Sequence, residues 1–331
     1  MNEKNLTVKD IARLAGTSVA TVSRVINKNG RFSKETERKV LEVIEKYGYV
    51  INQQARGLRA QRSNTVGILV PNISNDFYSR ITKETQVTLS EMGYMSLICN
   101  TEEKYDEAEK YLQMFRRQNA DGIIYIGNNE ITQLTDMPIV YVDRDPRDQE
   151  ESPGDFCMVE CDNIQGGRLA GETLARAGVR YPAYVCFEIG ISTHRKRLLG
   201  FKEALFSEGI FFDDKRVVVT SDAGMHAGEE AVKKILATMP EVDGIFFGSD
   251  FIAVGALHYM RKTGINVPEQ IKLVGFDDLL ISELMGLTTI RQPMAQMGRL
   301  AAVKVIDMIE NREIEVKRQR LPVELVERDT T

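Results

Sequence analysis

From Thr65 onward, short apolar runs rich in β-branched and aromatic residues alternate with stretches of helical periodicity, and that alternation leaves few folds open. The runs are TVGILV, MSLIC, GIIYI, IVYV and FCMVEC, then AYVCF, RVVVT, GIFFG and KLVGF. Helical segments such as EAEKYLQMFRRQ and GEEAVKKILATM lie between most of them. Strands that take turns with helices lie parallel, with helices on both faces of the sheet. Two such series predict an α/β body of two lobes with a cleft between them.

The first sixty residues follow a different pattern. In TVKDIARLAGTSVATVSRVIN, Thr7 to Asn27, Thr7 is placed to cap a helix carrying Val8, Ile11, Ala12 and Ala15 at helical spacing. Gly16 suits the positive φ of a tight turn, and Ser18 caps a second helix with Val22, Val25 and Ile26 as its buried stripe. The two helices read as a helix-turn-helix, whose second helix enters the major groove N-terminus first. Asn29-Gly30 marks a turn, and Ser33 caps a third helix to about Tyr47, with Val40, Leu41, Ile44 and Tyr47 expected to close the core. Lys9 and Ser18 lie near helix ends, where phosphate contacts position a protein without specifying a sequence, and Thr7 is a further DNA-binding candidate. Val19, Ala20, Ser23 and Arg24 are the base-reading candidates, and Asn27 is a further DNA-binding candidate. Val19 and Ala20 offer apolar contact to thymine methyls, and Arg24 either pairs with guanine or holds a phosphate.

Charge divides the chain at the same place. Residues 1–62 hold 13 Lys and Arg against 6 Asp and Glu, whereas the remainder holds 30 against 42. A basic head on an acidic body fits a DNA-binding module joined to a body with another task. No apolar run approaches the ~18 residues of a membrane span, and no signal-peptide core is present. Cys99, Cys157, Cys161 and Cys186 are spaced for neither a metal nor a disulfide framework and read as buried free thiols of a cytoplasmic protein. His194, His226 and His258 are equally scattered, so no metal and no cofactor is expected. Between head and body lies NQQARGLRA, Asn52 to Ala60, with Gly57 in its middle. It reads either as a plain linker or as a helix that forms when DNA orders it, with Leu58 as an apolar wedge between base steps.

The sequence resembles the lactose/galactose repressor family of bacterial transcription regulators along nearly its whole length. The resemblance is carried by TVKDIARLAGTSVATVSRVIN, ARGLR, VPNISNDFYSRI, HRKRLLGFKEAL, GSDFIAVGAL and VGFDDLLISELMGLTTIRQP, in the family's order. The stretch EKYDEAEKYLQMFRRQNADGII is similar to the branch of ribose- and sucrose-operon repressors. The resemblance implies a homodimer on near-palindromic double-stranded operator DNA, half-sites about one helical turn apart. It also implies paired hinge helices carrying Leu58 and a body like a periplasmic sugar-binding protein, with TTIRQP and LPVELVE crossing back between lobes. The expected division is 1–50 for the helix-turn-helix domain, 51–63 for hinge and linker, and 64–331 for effector binding and dimerisation. Within the body the N-lobe covers about 64–161 and 292–321, and the C-lobe about 162–291 and 322–331. Two departures stand out: Ile51 occupies a place where the family has proline, and the chain ends at VERDTT without a leucine-rich tetramerising tail, so a dimer is expected.

In open parallel sheets, ligands bind beyond the carboxyl ends of the strands. The residues that follow each strand include Asn72 with Phe77 and Tyr78, Asp143 with Arg144, Arg195 and Arg197, Asp222, Ser249 with Asp250, and Asp277 with Asp278. Carboxylates and guanidinium groups beside an aromatic suit a sugar or a sugar phosphate. The effector candidates are Asn72, Phe77, Asp143, Arg195, Arg197, Asp222, Ser249 and Asp277; by the resemblance Asp143, Arg195 and Asp277 fall on family effector positions. Asp250 reads equally as a helix cap, Asp278 as a turn residue, and Tyr78 as core. Gly166-Gly167 near a helix start is a weak phosphate signal. No GxSxG, GxxxxGK[ST], GxGxxG or HExxH occurs, so catalysis is not expected. The leading expectation is a repressor of a carbohydrate-utilisation operon released by a sugar. A catabolite regulator activated by a phosphorylated carrier protein is the second reading, and a DNA-tethered sugar-acting enzyme the third.

Overall fold

The computed structural model describes residues 6–27, 30–49, 62–127, 130–146 and 156–331. The chain divides into two compact units, 1–63 and 64–331. The segment 51–61, with the expected hinge helix and Leu58, lies outside the described residues.

Among its described residues the first unit holds three helices, α1 (Val8–Leu14), α2 (Val19–Asn27) and α3 (Lys34–Lys46). Thr7 caps α1 in a reciprocal box: its Oγ1 accepts from the Asp10 N–H, and its own N–H donates to Asp10 Oδ2 at 3.0 Å. Gly16 turns the chain at φ +65°, and Ser18 Oγ accepts the Thr21 N–H at 3.1 Å to start α2. Ile11, Ala12, Val22, Val25 and Val40 close the core between the three helices. Leu41 and Tyr47, expected in that core, are exposed instead. Leu41 lies about 100° around the helix from Val40, and Val43 and Ile44 take the inward positions. Gly48 at φ +58° then reverses the chain after Tyr47 and carries Tyr49 back against the cluster in its place.

The second unit contains two six-stranded sheets. The N-lobe sheet has the order β11-β5-β4-β3-β1-β2, from β1 (Thr65–Val70), β2 (Met95–Asn100), β3 (Gly122–Tyr125), β4 (Ile139–Val142), β5 (Cys157–Cys161) and β11 (Arg318–Leu321), all parallel. The C-lobe sheet runs β12-β10-β9-β8-β6-β7. Its strands are β6 (Pro182–Phe187), β7 (Val217–Thr220), β8 (Gly244–Phe247), β9 (Lys272–Asp277), β10 (Thr289–Arg291) and β12 (Glu324–Val326), with only β12 antiparallel. Helices α4 (Asp76–Glu91), α5 (Tyr105–Arg117) and α11 (Met294–Ile309) belong to the N-lobe. Helices α6 (Asn163–Arg176), α7 (Ser192–Ser207), α8 (Met225–Thr238), α9 (Asp250–Thr263) and α10 (Leu280–Leu284) belong to the C-lobe. Every residue of β1, β3, β4 and β8 is buried, which is why these strands read as unbroken apolar runs.

Three short connections carry the chain between lobes: Asp162 from β5 to α6, Gln292-Pro293 from β10 to α11, and Pro322-Val323 from β11 to β12. Helices α6 and α7 pack backbone to backbone. A Cβ on Gly167 would stand 1.9 Å from the Arg197 carbonyl oxygen, and one on Gly200 the same distance from that of Ile164. Gly166-Gly167 therefore serves this close approach and not a phosphate; Gly166 itself faces the Phe276 ring. Among the described residues no helix is long and apolar enough to cross a membrane.

Candidate functional site

The carboxyl ends of β1, β4, β6, β8 and β9 converge on a cavity of about 50 Å³ between the lobes. From the N-lobe it is lined by Asn75, Phe77, Tyr78, Asp143 and Arg144, and from the C-lobe by Phe187, Thr193, His194, Arg197, Ala223, Gly248, Ser249 and Asp277, with Gln292 on a connection. The site is built locally. Asn75 caps α4 through the Phe77 N–H (3.0 Å), which seats Phe77 edge-on to Tyr78 at 5.2 Å between ring centroids. Beyond β4 the backbone enters the left-handed region at Asp143 (φ +71°), turning its carboxyl into the cleft. Asp277, at φ +133°, does the same after β9. Non-glycine residues rarely adopt such angles, and the strain sits where two carboxylates are aimed at one cavity.

The polar groups are held by their neighbours. Arg144 Nη1 donates to both oxygens of Glu103 (3.0 and 2.8 Å) and Nη2 to the Tyr78 hydroxyl. Arg197 stacks on the Phe276 ring with its guanidinium carbon 3.6 Å from the centroid, while its Nε donates to Asn163 and its Nη1 to the Gly248 carbonyl. Asp277 Oδ1 accepts from Gln292 Nε2 at 2.7 Å, and Gln292 Oε1 accepts the Cys161 thiol at 2.9 Å. Both lobes thus meet at one amide. Burial pushes the Asp277 carboxyl well above the usual range, and the nearby Asp250 adds to this against Arg197. Asp143 is raised by burial, with Arg197 and Arg144 opposing. Burial keeps His194 neutral, reinforced by the two arginines.

Buried polar atoms are nearly always hydrogen-bonded. Among the described residues four buried side-chain atoms lack a partner, and three of them, Asp143 Oδ1, His194 Nδ1 and Ser249 Oγ, belong to residues lining this one cavity. A ring of unspent donors and acceptors beside an aromatic face is what a polyhydroxylated ligand satisfies.

Five expected effector residues meet here: Phe77, Asp143, Arg197, Ser249 and Asp277. Three do not. Asn72 is exposed and accepts from its own turn at Ser74; Asn75 lines the cavity in its place. Arg195 is exposed and donates to the Gly190 carbonyl. Asp222 is exposed and accepts the Gly224 N–H, leaving neighbouring Ala223 in the lining. Asp250 does not cap α9 with its side chain; fully buried, it accepts from the Leu279 N–H and from the Ser282 and Thr289 hydroxyls. Asp278 receives Arg291 and Arg328 outside the cavity. Tyr78 is both core and lining. Sequence reasoning missed Asn75, Thr193, His194 and Gln292. Gln292 directly follows β10, whose three residues read in the sequence only as part of a connection.

In the head, Val19, Ala20 and Arg24 are exposed on α2, Ser23 is half-buried, and Thr7 and Ser18 stand exposed at helix starts. The Asn27 side chain lies outside the described residues, as does Leu58.

Residues 7–52 match the family described as bacterial regulatory proteins, lacI family, and residues 172–331 match the periplasmic binding protein-like domain. A ribose operon repressor of Halalkalibacterium halodurans is 33% identical across 98% of this chain and 97% of the relative. The transcriptional regulator RegA of Clostridium saccharobutylicum is 31% identical across 98% of each. The structure of the regulator CelR in complex with cellobiose superposes with a TM-score of 0.74 at 30% identity, covering 98% of this chain and all 100% of that one. The operator-bound lac repressor dimer shares the fold at a TM-score of 0.88 and 23% identity, over 99% of both chains. Identity at this level over 98% of the chain carries the family with it: this chain is a DNA-binding transcription regulator belonging to the lacI family of bacterial regulatory proteins.

Proposed function

We propose that this regulator is a homodimeric repressor of a carbohydrate-utilisation operon, and that a small neutral sugar of ribose size, bound in the interlobe cavity, releases it from its operator. The supporting observation is the cluster of three unpartnered buried polar atoms, on Asp143, His194 and Ser249, around a cavity flanked by Phe77 and two Asp–Arg sets. Asp143 and Asp277 accept hydroxyl protons, Arg197 donates to ring or hydroxyl oxygens, and Phe77 packs the apolar face of the ring. The cavity measures about 50 Å³ with the lobes as they stand. Ligand pockets commonly measure ~300 Å³ or more, so entry of even a pentose requires the lobes to part. The sugar then shifts the lobe arrangement by its differential affinity for the wider cleft, and operator affinity falls. The relatives named as ribose operon repressors point to the same sugar.

The reading assigns residues 1–50 to DNA, 51–63 to the hinge and 64–331 to effector and partner subunit, and it places the protein with the chromosome in the cytoplasm. It assigns the cleft binding and not turnover, so sugar recovered after incubation is expected unchanged. Fluorescence anisotropy on DNA from upstream of the neighbouring genes tests it. Ribose is expected to release the DNA, and cellobiose to leave it bound. Tight, sequence-specific binding that no sugar disturbs would transfer control to a protein partner. In the same assay Arg24→Ala is expected to cost about 1–3 kcal/mol on the operator and little on random DNA, the mark of a base contact. Equal losses on both would make Arg24 a phosphate contact.

A further inference from the structure

A sugar phosphate would compete for this cleft through bidentate contacts to a guanidinium group. Arg144 stands in the right place, yet both of its terminal nitrogens are engaged. Nη1 meets both Glu103 oxygens, Nη2 meets Tyr78, and Nε lies 3.8 Å from Asp143 Oδ2. Glu103 is not part of the cavity lining. It reaches Arg144 from the turn between β2 and α5, where Glu102 (φ +51°) and Glu103 (φ +60°) are both left-handed. Two consecutive non-glycine residues in that region mark a turn whose geometry the surroundings impose. What the turn secures is a carboxylate clamped on a guanidinium group that is itself only 7% exposed.

We propose that Glu103 makes the cleft select a neutral sugar over its phosphate, by occupying and neutralising Arg144 so that this guanidinium cannot be given to an anionic ligand. The proposal rests on the reading of the cleft as a sugar site. Glu103 and Asp143 stand against Arg144 and Arg197, while burial disfavours the charged form of Asp277, so carboxylates balance the guanidinium groups and a phosphate meets no surplus cation. Arg144, held between Glu103, Tyr78 and Asp143, becomes a rigid brace that keeps Asp143 aimed at the ligand. Glu103 is therefore a specificity-determining positioning residue; it touches Arg144 and not the sugar.

Calorimetric titration of the full-length protein with ribose and with ribose 5-phosphate tests this on the wild type and on Glu103→Gln, which keeps the shape and removes the charge. Wild type is expected to prefer ribose. The variant is expected to narrow that preference about tenfold or more, chiefly by gaining affinity for the phosphate, since one charged hydrogen bond is worth at least that factor. An unchanged ratio overturns the proposal while leaving the sugar reading intact. Wild type that binds neither compound defeats the sugar reading. The role of Glu103 is then decided by thermal unfolding with millimolar inorganic phosphate, which is expected to raise the midpoint of Glu103→Gln more than that of wild type. Equal shifts would overturn it. Should Glu103→Gln lose its folded baseline, Glu103→Asp decides: it retains the charge, so the wild-type preference is expected, and its loss would sink the proposal.

Discussion

Asp277→Ala is expected to abolish the response to ribose while leaving operator affinity within a few-fold of wild type. The carboxyl lies at the end of β9 and accepts from Gln292, the residue on the β10-to-α11 connection that also receives the Cys161 thiol. Alanine removes the acceptor for ligand hydroxyls and unties Gln292 in one step. Each hydrogen bond contributes about 0.5–1.5 kcal/mol, so two lost bonds weaken the sugar by roughly one order of magnitude or more. The head has its own core of Ile11, Ala12, Val22, Val25 and Val40, built from residues 1–63 alone. Calorimetry for ribose and anisotropy for DNA separate the two quantities. Loss of operator binding alongside the sugar would refute the division of labour between head and cleft.

Glu160→Ala is expected to cost the body about 3–5 kcal/mol of stability, because it strands a charge in the interior. Glu160, on β5 of the N-lobe, is 1% exposed and accepts from Lys196 Nζ of α7 at 2.9 Å, across the lobes. Arg318 donates to its other oxygen at 2.8 Å. Burial alone would raise the Glu160 carboxyl, but Arg318 and Lys196 outweigh it and hold it below its ordinary value. Urea unfolding of the full chain, read at the body transition, measures the loss. The paired change Glu160→Leu with Lys196→Met is expected to recover most of it, since an apolar pair of similar volume replaces a buried ion pair at little cost. A double variant no better than Glu160→Ala would show that packing, and not charge, carries the effect.

The alternation of strand and helix was legible because the central strands of a parallel sheet are buried on both faces and spell themselves as apolar runs; β1, β4 and β8 are such strands. Where that signature was absent the reading thinned. The three-residue strand β10 was seen only as part of a connection, and with it went the rule that would have named Gln292. Of the effector candidates read after strands, five line the interlobe cavity and three do not. Asn72 and Asp222 have the same chemistry as Asn75 and Asp143, but both stand exposed in their own turns, whereas Asn75 starts α4 at the cavity and Asp143 is buried in its lining. Gly166-Gly167 looked like an anion site because glycine near a helix start has two uses, and only the approach of α7 shows that close packing is the one realised.

By itself the sequence determined the three-helix head with its caps, the two parallel-sheet lobes, the charge division between them and the family, since local periodicity, capping chemistry and composition act over short stretches of chain. The tertiary structure decided which polar side chains are left without partners. Asp143, His194 and Ser249 come from three separate stretches of the chain, and Arg144 meets Glu103 across 41 residues. Whether a buried atom is satisfied depends on distances that chain spacing does not encode, and those unsatisfied atoms are what single out the interlobe cavity.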